Sequence, residues 1–224
     1  MAIDFNVESP DNYEQKCLLV LLVDVSGSMS GTPIAELNRG LQEFYSDIQQ
    51  DSTTANRLEV CIVEFSSTVE TLVTPSLVSS FTMPQLSVKG STKMVDGMKE
   101  AIAVVDARKA WYKSTGQPYY RPWIVLITDG APDPGQDIEW MKNEIQSRVD
   151  AKSFHFYALG VTSADMQMLT RVSHPTTPPA MLNGLRFAEF FKWLSASMSM
   201  IANSKEGEKT NLPSPSNWMQ GFQV

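Results

Sequence analysis

Apolar and polar residues follow two rhythms along this chain, and the rhythms take turns. Residues 17–23 form an unbroken apolar run closed by Asp24, the pattern of a central strand covered on both faces. A turn rich in Ser and Gly follows. Ile34, Leu37, Leu41, Phe44, Tyr45 and Ile48 then recur at helical spacing, with Thr32 the expected N-cap and Pro33 at the first helical position. The unit repeats: residues 58–65 read as a strand and 69–73 as a short one, a loop runs to Ser91, and Met94, Met98, Ala101, Ile102 and Val105 make the next helical stripe. Residues 123–128 are another buried strand, followed by a helix with Ile138, Met141, Ile145 and Val149 inward. A strand over 154–161, a short helix over 166–172 and a weak strand at 181–182 come next. Phe187, Phe190, Phe191, Leu194, Met198 and Ile201 close the series as a strongly amphipathic helix. Strands alternating with helices predict an α/β fold: one domain with a doubly wound, mostly parallel central sheet and helices on both faces.

The length of 224 residues suits one such domain. The expected organisation is an acidic extension over residues 1–16, the domain over 17–204 and a tail over 205–224. In the tail Lys205, Glu206, Glu208 and Lys209 precede Pro213 and Pro215 and no periodicity survives, yet Trp218, Met219 and Phe222 are expected to pack back on the domain. With 42% hydrophobic and 19% charged residues, disordered and coiled-coil classes fall away. A net charge of −7 argues against nucleic acid and anionic membranes as partners, leaving Arg108, Lys109 and Lys113 as the place for a local basic patch. Asp4, Glu8, Asp11 and Glu14 occupy the start without a Lys or Arg before Lys16, unlike a secretory leader, and no apolar run approaches the ~20 residues that span a bilayer. A cytoplasmic monomer is expected. Cys17 and Cys61 both lie in apolar strand-like runs and read as buried thiols rather than a disulfide or metal pair.

Ligands of open α/β sheets bind beyond the carboxyl ends of the strands, and three loops there are unusual. The first reads Asp24-Val25-Ser26-Gly27-Ser28, the second Gly90-Ser91-Thr92 and the third Thr128-Asp129-Gly130. Asp24, Ser26, Ser28, Thr92 and Asp129 offer only hard oxygen donors, a set that suits Mg²⁺ or Mn²⁺ ahead of Ca²⁺ and far better than zinc. Three of the five are neutral, so the ion would keep positive charge and an open position for an outside carboxylate. Gly27 and Gly130 are expected to permit the tight turns. The competing account is that these residues merely cap helices and stabilise turns. Asp133, close behind Asp129, could shape the rim of the site or bond a ligand from behind, but reads first as a solvated loop carboxylate; Asp96 reads as surface.

Asp24-x-Ser26-x-Ser28, Thr92 and Asp129 resemble the complete metal-ion-dependent adhesion site of von Willebrand factor A domains, in that family's order and on its strand ends. The resemblance implies that Ser26, Ser28 and Thr92 contact the metal directly and that Asp24 and Asp129 do so directly or through water. Residues 24–31, 79–86 and 190–197 further resemble the bacterial TerY-like branch of tellurium-resistance and stress-response loci, over about residues 18–204. That resemblance implies a cytoplasmic protein working beside kinase-like and phosphatase-like proteins. The Pro-rich loop after Asp129, the acidic extension and the tail depart from the branch.

The function expected is a metal-dependent protein-binding module whose cation is completed by an Asp or Glu of a partner, and not an enzyme. One alternative is a metal-dependent phosphoester hydrolase, but His155 lies in an apolar strand, His174 lies in a Pro-rich loop, and Lys89 and Lys93 only flank the second loop. The other is a metal-independent scaffold, for which a chelator would be harmless.

Overall fold

Eight consecutive buried positions make β1 (Cys17–Asp24) the middle of the molecule. Its side chains alternate between two cores: Leu19, Leu21 and Val23 face one, Leu18, Val20 and Leu22 the other. A strand buried on both faces has no need of polar positions, and this is why its sequence shows none before Asp24. The computed structural model describes residue 10 and residues 12–161, 164–182, 187–204 and 219–220.

β2 (Leu58–Phe65) and β4 (Trp123–Thr128) flank β1 in parallel, and β5 (His155–Val161) and β6 (Ala180–Leu182) extend the parallel set. β3 (Val69–Leu77) and β7 (Met219–Gln220) pair antiparallel at the two margins, giving the order β3-β2-β1-β4-β5-β6-β7. β3 is longer than the expected 69–73 and carries two register irregularities against β2, with Pro75 beside one of them. Helices α1 (Thr32–Gln50) and α6 (Phe187–Asn203) cover one face and α3 (Met94–Thr115), α4 (Ile138–Asp150) and α5 (Met166–Val172) the other. The sheet is doubly wound, as the alternation of periods predicts.

Several expectations need correction. The N-cap of α1 is Gly31, at φ 82°, and Thr32 already lies inside the helix without a capping bond. α3 runs ten residues past its last expected stripe position, Val105, to a left-handed Gly116. α2 (Ser52–Arg57) was not expected because it has no apolar stripe; the side chain of Asp51 holds its start by accepting from the Thr53 and Thr54 amides. Arg108 belongs to no basic surface patch: it is buried and paired with Glu59.

Cys17 and Cys61 are buried free thiols on opposite faces of the sheet, and burial pushes the Cys17 thiol up to about 12. At the margin, Gln220 pairs with Met181 and Met219 with Leu182, so the tail returns to the domain there. Trp218 and Phe222, also expected to pack back, lie outside the described residues. No helix among the described residues is long and apolar enough to cross a membrane.

His155 opens β5 at the amino end of the sheet, half-buried beside Trp123 and Tyr157. Burial, helped by the Arg121 charge, lowers its pKa to about 4, against ~6.5 in an unfolded chain. Between those values only the unfolded chain binds the proton, so this stability is fully present above ~6.5 and is lost as pH falls toward 4. From pH 7.5 to pH 5 the loss should be about 2 kcal/mol. Unfolding free energies from urea denaturation should show wild type losing about 2 kcal/mol more than His155→Gln between those two pH values; parallel profiles would refute it.

Candidate metal centre

The parallel register builds the centre. Val23 of β1 pairs with Ile127 of β4, so the next residues, Asp24 and Thr128, stand side by side at the carboxyl ends of two buried strands. The Thr128 hydroxyl donates to Asp24 Oδ2 at 2.6 Å, and the Ser26 amide donates to Asp24 Oδ1 at 2.8 Å. With both oxygens bound, Asp24 is fixed in orientation. The chain then turns through a short 3₁₀ segment (Gly27–Met29) that tips Ser28 toward the third loop. The Ser26 and Ser28 hydroxyls lie 3.1 Å apart, and Ser28 donates to Asp129 Oδ1 at 2.7 Å. Four of the five expected residues thus form one hydrogen-bonded group with Thr128, whose role sequence reading missed; the strand register was the signal that could have found it.

Thr92, the fifth, is buried in the run that leads into α3. No bond joins its hydroxyl to the other four side chains; its backbone is tied instead to the loop that follows Asp129. The Thr92 amide donates to Asp133 Oδ2 at 3.1 Å, and the Thr92 carbonyl accepts from the Asp133 amide at 3.1 Å and from Gln136 Nε2 at 2.6 Å. Asp133 is therefore not the solvated loop carboxylate that was expected. Gln136 had no sequence signal.

The glycines that the turns require are also not those expected. Gly27 and Gly130 have no left-handed backbone, whereas Gly90 has φ +45°. A Cβ at Gly90 would lie 1.8 Å from Ser67 Oγ, so the second loop passes the β2–β3 turn at a distance only glycine allows.

Electrostatically the centre is short of positive charge. Burial raises the Asp24 carboxyl above the ordinary aspartate range, and the charge of Asp129 adds to this. Burial likewise raises Asp129, with the Ser28 hydroxyl acting in the opposite direction. Among the described residues neither carboxylate has an ion pair; Lys89 is engaged by Glu64 and by Glu70 at 3.6 Å. Two buried carboxylates beside three hydroxyls form a donor set that fits a hard divalent cation. Among the described residues no group of three or more His, Cys, Asp or Glu side chains offers a competing centre. His155 lies at the opposite end of the sheet, and His174 is bound to Asp150 at 3.0 Å and Thr176 at 2.6 Å.

No curated protein matches the chain. Solved structures do. The pilus adhesin SpaC from Lactobacillus rhamnosus GG in an open conformation matches with a TM-score of 0.64 at 15% identity, over 85% of this chain and 31% of that one. Proximal thread matrix protein 1 from the mussel byssus, with a zinc-occupied MIDAS motif, gives 0.58 at 15% identity over 83% and 48%. The ArnB paralog VWA2 from Sulfolobus acidocaldarius gives 0.55 at 14% identity over 83% and 46%. The chain thus spans less than half the length of these proteins, and at such identities the likeness is one of fold. The family of the von Willebrand factor type A domain matches residues 19–189. This chain belongs to that family.

Proposed function

We propose that the domain is a metal-dependent protein-binding module, with a divalent cation held by Asp24, Ser26, Ser28, Thr92 and Asp129. The observation that carries this reading is the pair of buried carboxylates with no cationic partner among the described residues. Burying such charges is costly unless a cation compensates them, and the adjoining hydroxyls select a hard one, Mg²⁺ or Mn²⁺ ahead of Ca²⁺. When bound, the cation supplies a Lewis-acidic position for an Asp or Glu of a partner protein. Asp24 and Thr128 hold the floor of the site, Ser26 and Ser28 present hydroxyls, and Asp129 faces them from the third loop. The zinc in the mussel protein's MIDAS motif supports a metal at this place in the fold.

Binding is favoured over hydrolysis because neither histidine reaches the site and Lys89 is already engaged by carboxylates. A place in the TerY-like branch is proposed only from the resemblance of residues 24–31, 79–86 and 190–197. It would place the protein in a cytoplasmic stress or tellurium-resistance system beside kinase-like and phosphatase-like partners.

The deciding experiment is calorimetric titration of Mg²⁺ and Mn²⁺ into chelator-treated protein, followed by capture of acidic peptides with and without metal. Wild type should bind one ion, Asp129→Asn should bind at least about 100-fold more weakly, and both should show the same circular dichroism. Asp24→Ala and Thr92→Ala should lose metal-dependent capture. Capture that survives chelator, or that both variants retain, would defeat the reading.

A further inference from the structure

The run from Lys89 to Lys93 has no regular secondary structure, yet each of its residues has a backbone bond to a neighbouring element. The Lys89 amide donates to Val25 O, Gly90 O accepts from the Gly27 amide at 2.9 Å, the Ser91 amide donates to Ser67 Oγ at 2.9 Å and the Lys93 amide donates to Ser66 O at 2.9 Å. Those four bonds hang the run from the β1–α1 and β2–β3 turns. Thr92 differs. Its amide and carbonyl both turn to the β4–α4 loop, where Asp133 accepts from one and donates to the other. Gln136 closes the arrangement: its Nε2 donates to the Thr92 carbonyl and, at 3.2 Å, to the Asp133 carbonyl, while its Oε1 accepts from the Val95 amide at 2.8 Å.

We propose that Asp133 and Gln136 are positioning residues for the metal centre, which fix the Thr92 backbone and so deliver its hydroxyl to the cation without touching the cation themselves. The inference rests on the metal-centre reading and deepens it. The physical ground is that a threonine ligand has one torsion of its own, χ1, so its oxygen is only as well placed as its backbone. Groups that orient a ligand carry a large share of metal affinity, and their loss weakens binding about 10- to 100-fold. The loop that brings Asp129 to the centre is here the same loop that grips Thr92, so the two donors are set at a fixed separation by three side-chain bonds and one backbone bond rather than by a strand.

The test compares Asp133→Ala, Asp133→Asn, Gln136→Ala and Asp137→Ala. Asn at position 133 can still accept from the Thr92 amide but carries no charge, which separates positioning from electrostatics. Asp137 lies in the same loop and caps α4 through the Trp140 amide at 2.9 Å, so its loss loosens the loop without touching Thr92. Calorimetry with Mn²⁺ should show binding weakened about tenfold or more in Asp133→Ala and Gln136→Ala. Asp133→Asn and Asp137→Ala should stay within about threefold of wild type. Hydrogen exchange in the metal-free proteins gives a second readout: the Thr92 amide should exchange faster in Asp133→Ala and at the wild-type rate in Asp133→Asn. Equal weakening in Asp133→Ala and Asp133→Asn would show a charge effect and overturn the proposal, as would wild-type affinity in Asp133→Ala or a matching loss in Asp137→Ala. A wild type that binds neither Mg²⁺ nor Mn²⁺ would instead overturn the metal-centre reading, with the positioning of Thr92 still judged by its amide exchange.

Discussion

Replacing Arg108 with methionine should lower the free energy of unfolding by about 3–5 kcal/mol. The guanidinium reaches Glu59 with two bonds of 2.8 Å, from Nε and from a terminal nitrogen, and both side chains are almost completely withdrawn from water. Tyr112 adds its hydroxyl to Glu59 at 2.5 Å, and burial together with the Glu59 charge raises the Tyr112 phenol well above its ordinary range. The guanidinium carbon also stands 3.9 Å from the centre of the Trp111 ring. Methionine fills much of the volume but leaves the Glu59 carboxylate buried with, among the described residues, the Tyr112 hydroxyl as its remaining side-chain partner, and this uncompensated charge is the source of the loss. Changing Glu59 to leucine in the same chain should recover a large part of it, because an apolar pair removes the stranded charge. Urea denaturation of the two variants measures both effects. A single Arg108→Met loss below about 1 kcal/mol would mean that water reaches Glu59.

A second large effect is expected where α1 meets α6. Phe191 is fully buried between the rings of Phe44 and Phe190, at 5.8 and 5.0 Å, and Phe191→Ala should cost about 3–5 kcal/mol. Gly40 lies opposite: a Cβ there would come within 2.5 Å of Phe191 Cδ2 and 3.1 Å of the Phe187 Cβ. Gly40→Ala in the wild type should therefore destabilise by about 1–3 kcal/mol, although alanine is the better helix former. In the Phe191→Ala background the 2.5 Å obstacle is gone and the Phe187 Cβ at 3.1 Å remains, so the same change should cost at least about 1 kcal/mol less than in wild type. That non-additivity is the diagnostic result of a double-mutant cycle. Additive effects would show that the helices do not meet through this pair.

β1 and β4 were legible because burial on both faces leaves them almost wholly apolar, and β2 because six of its eight positions are apolar although Glu59 and Glu64 are buried in it. The expected spans 58–65 and 123–128 coincide with β2 and β4, and 166–172 coincides with α5. What could not be read was set by long-range geometry or by single local bonds. β3 pairs antiparallel, which its composition does not encode, and α2 owes its start to one aspartate side chain. At the candidate centre, Asp24, Ser26, Ser28 and Asp129, which the structure gathers into one hydrogen-bonded group, could be picked out because they follow buried strands at short spacing. Thr128 and Gln136 were not, and Asp133 was only the lesser of two readings, since their significance lies in which atom each one faces across the fold. Gly31 and Gly90 were passed over for the same reason: positive φ is a property of the closed loop, and both Gly27 and Gly130 looked equally suited to it.

The margins of the sheet bear on how copies of this protein behave in a crowded solution. Five parallel strands end on one side in β3, whose ladder is broken twice and which carries Pro75, and on the other in two residues of the chain's own tail. A proline has no amide proton to offer a newcomer, an irregular ladder twists away from one, and β7 takes up the outer bonds of β6. β3 is nine residues long but irregular and β7 is two residues, so among the described residues neither margin is a long, regular template for a further strand. An apolar middle of the sheet is thus flanked by margins that offer a newcomer few regular pairing positions, which disfavours edge-to-edge growth from one copy to the next.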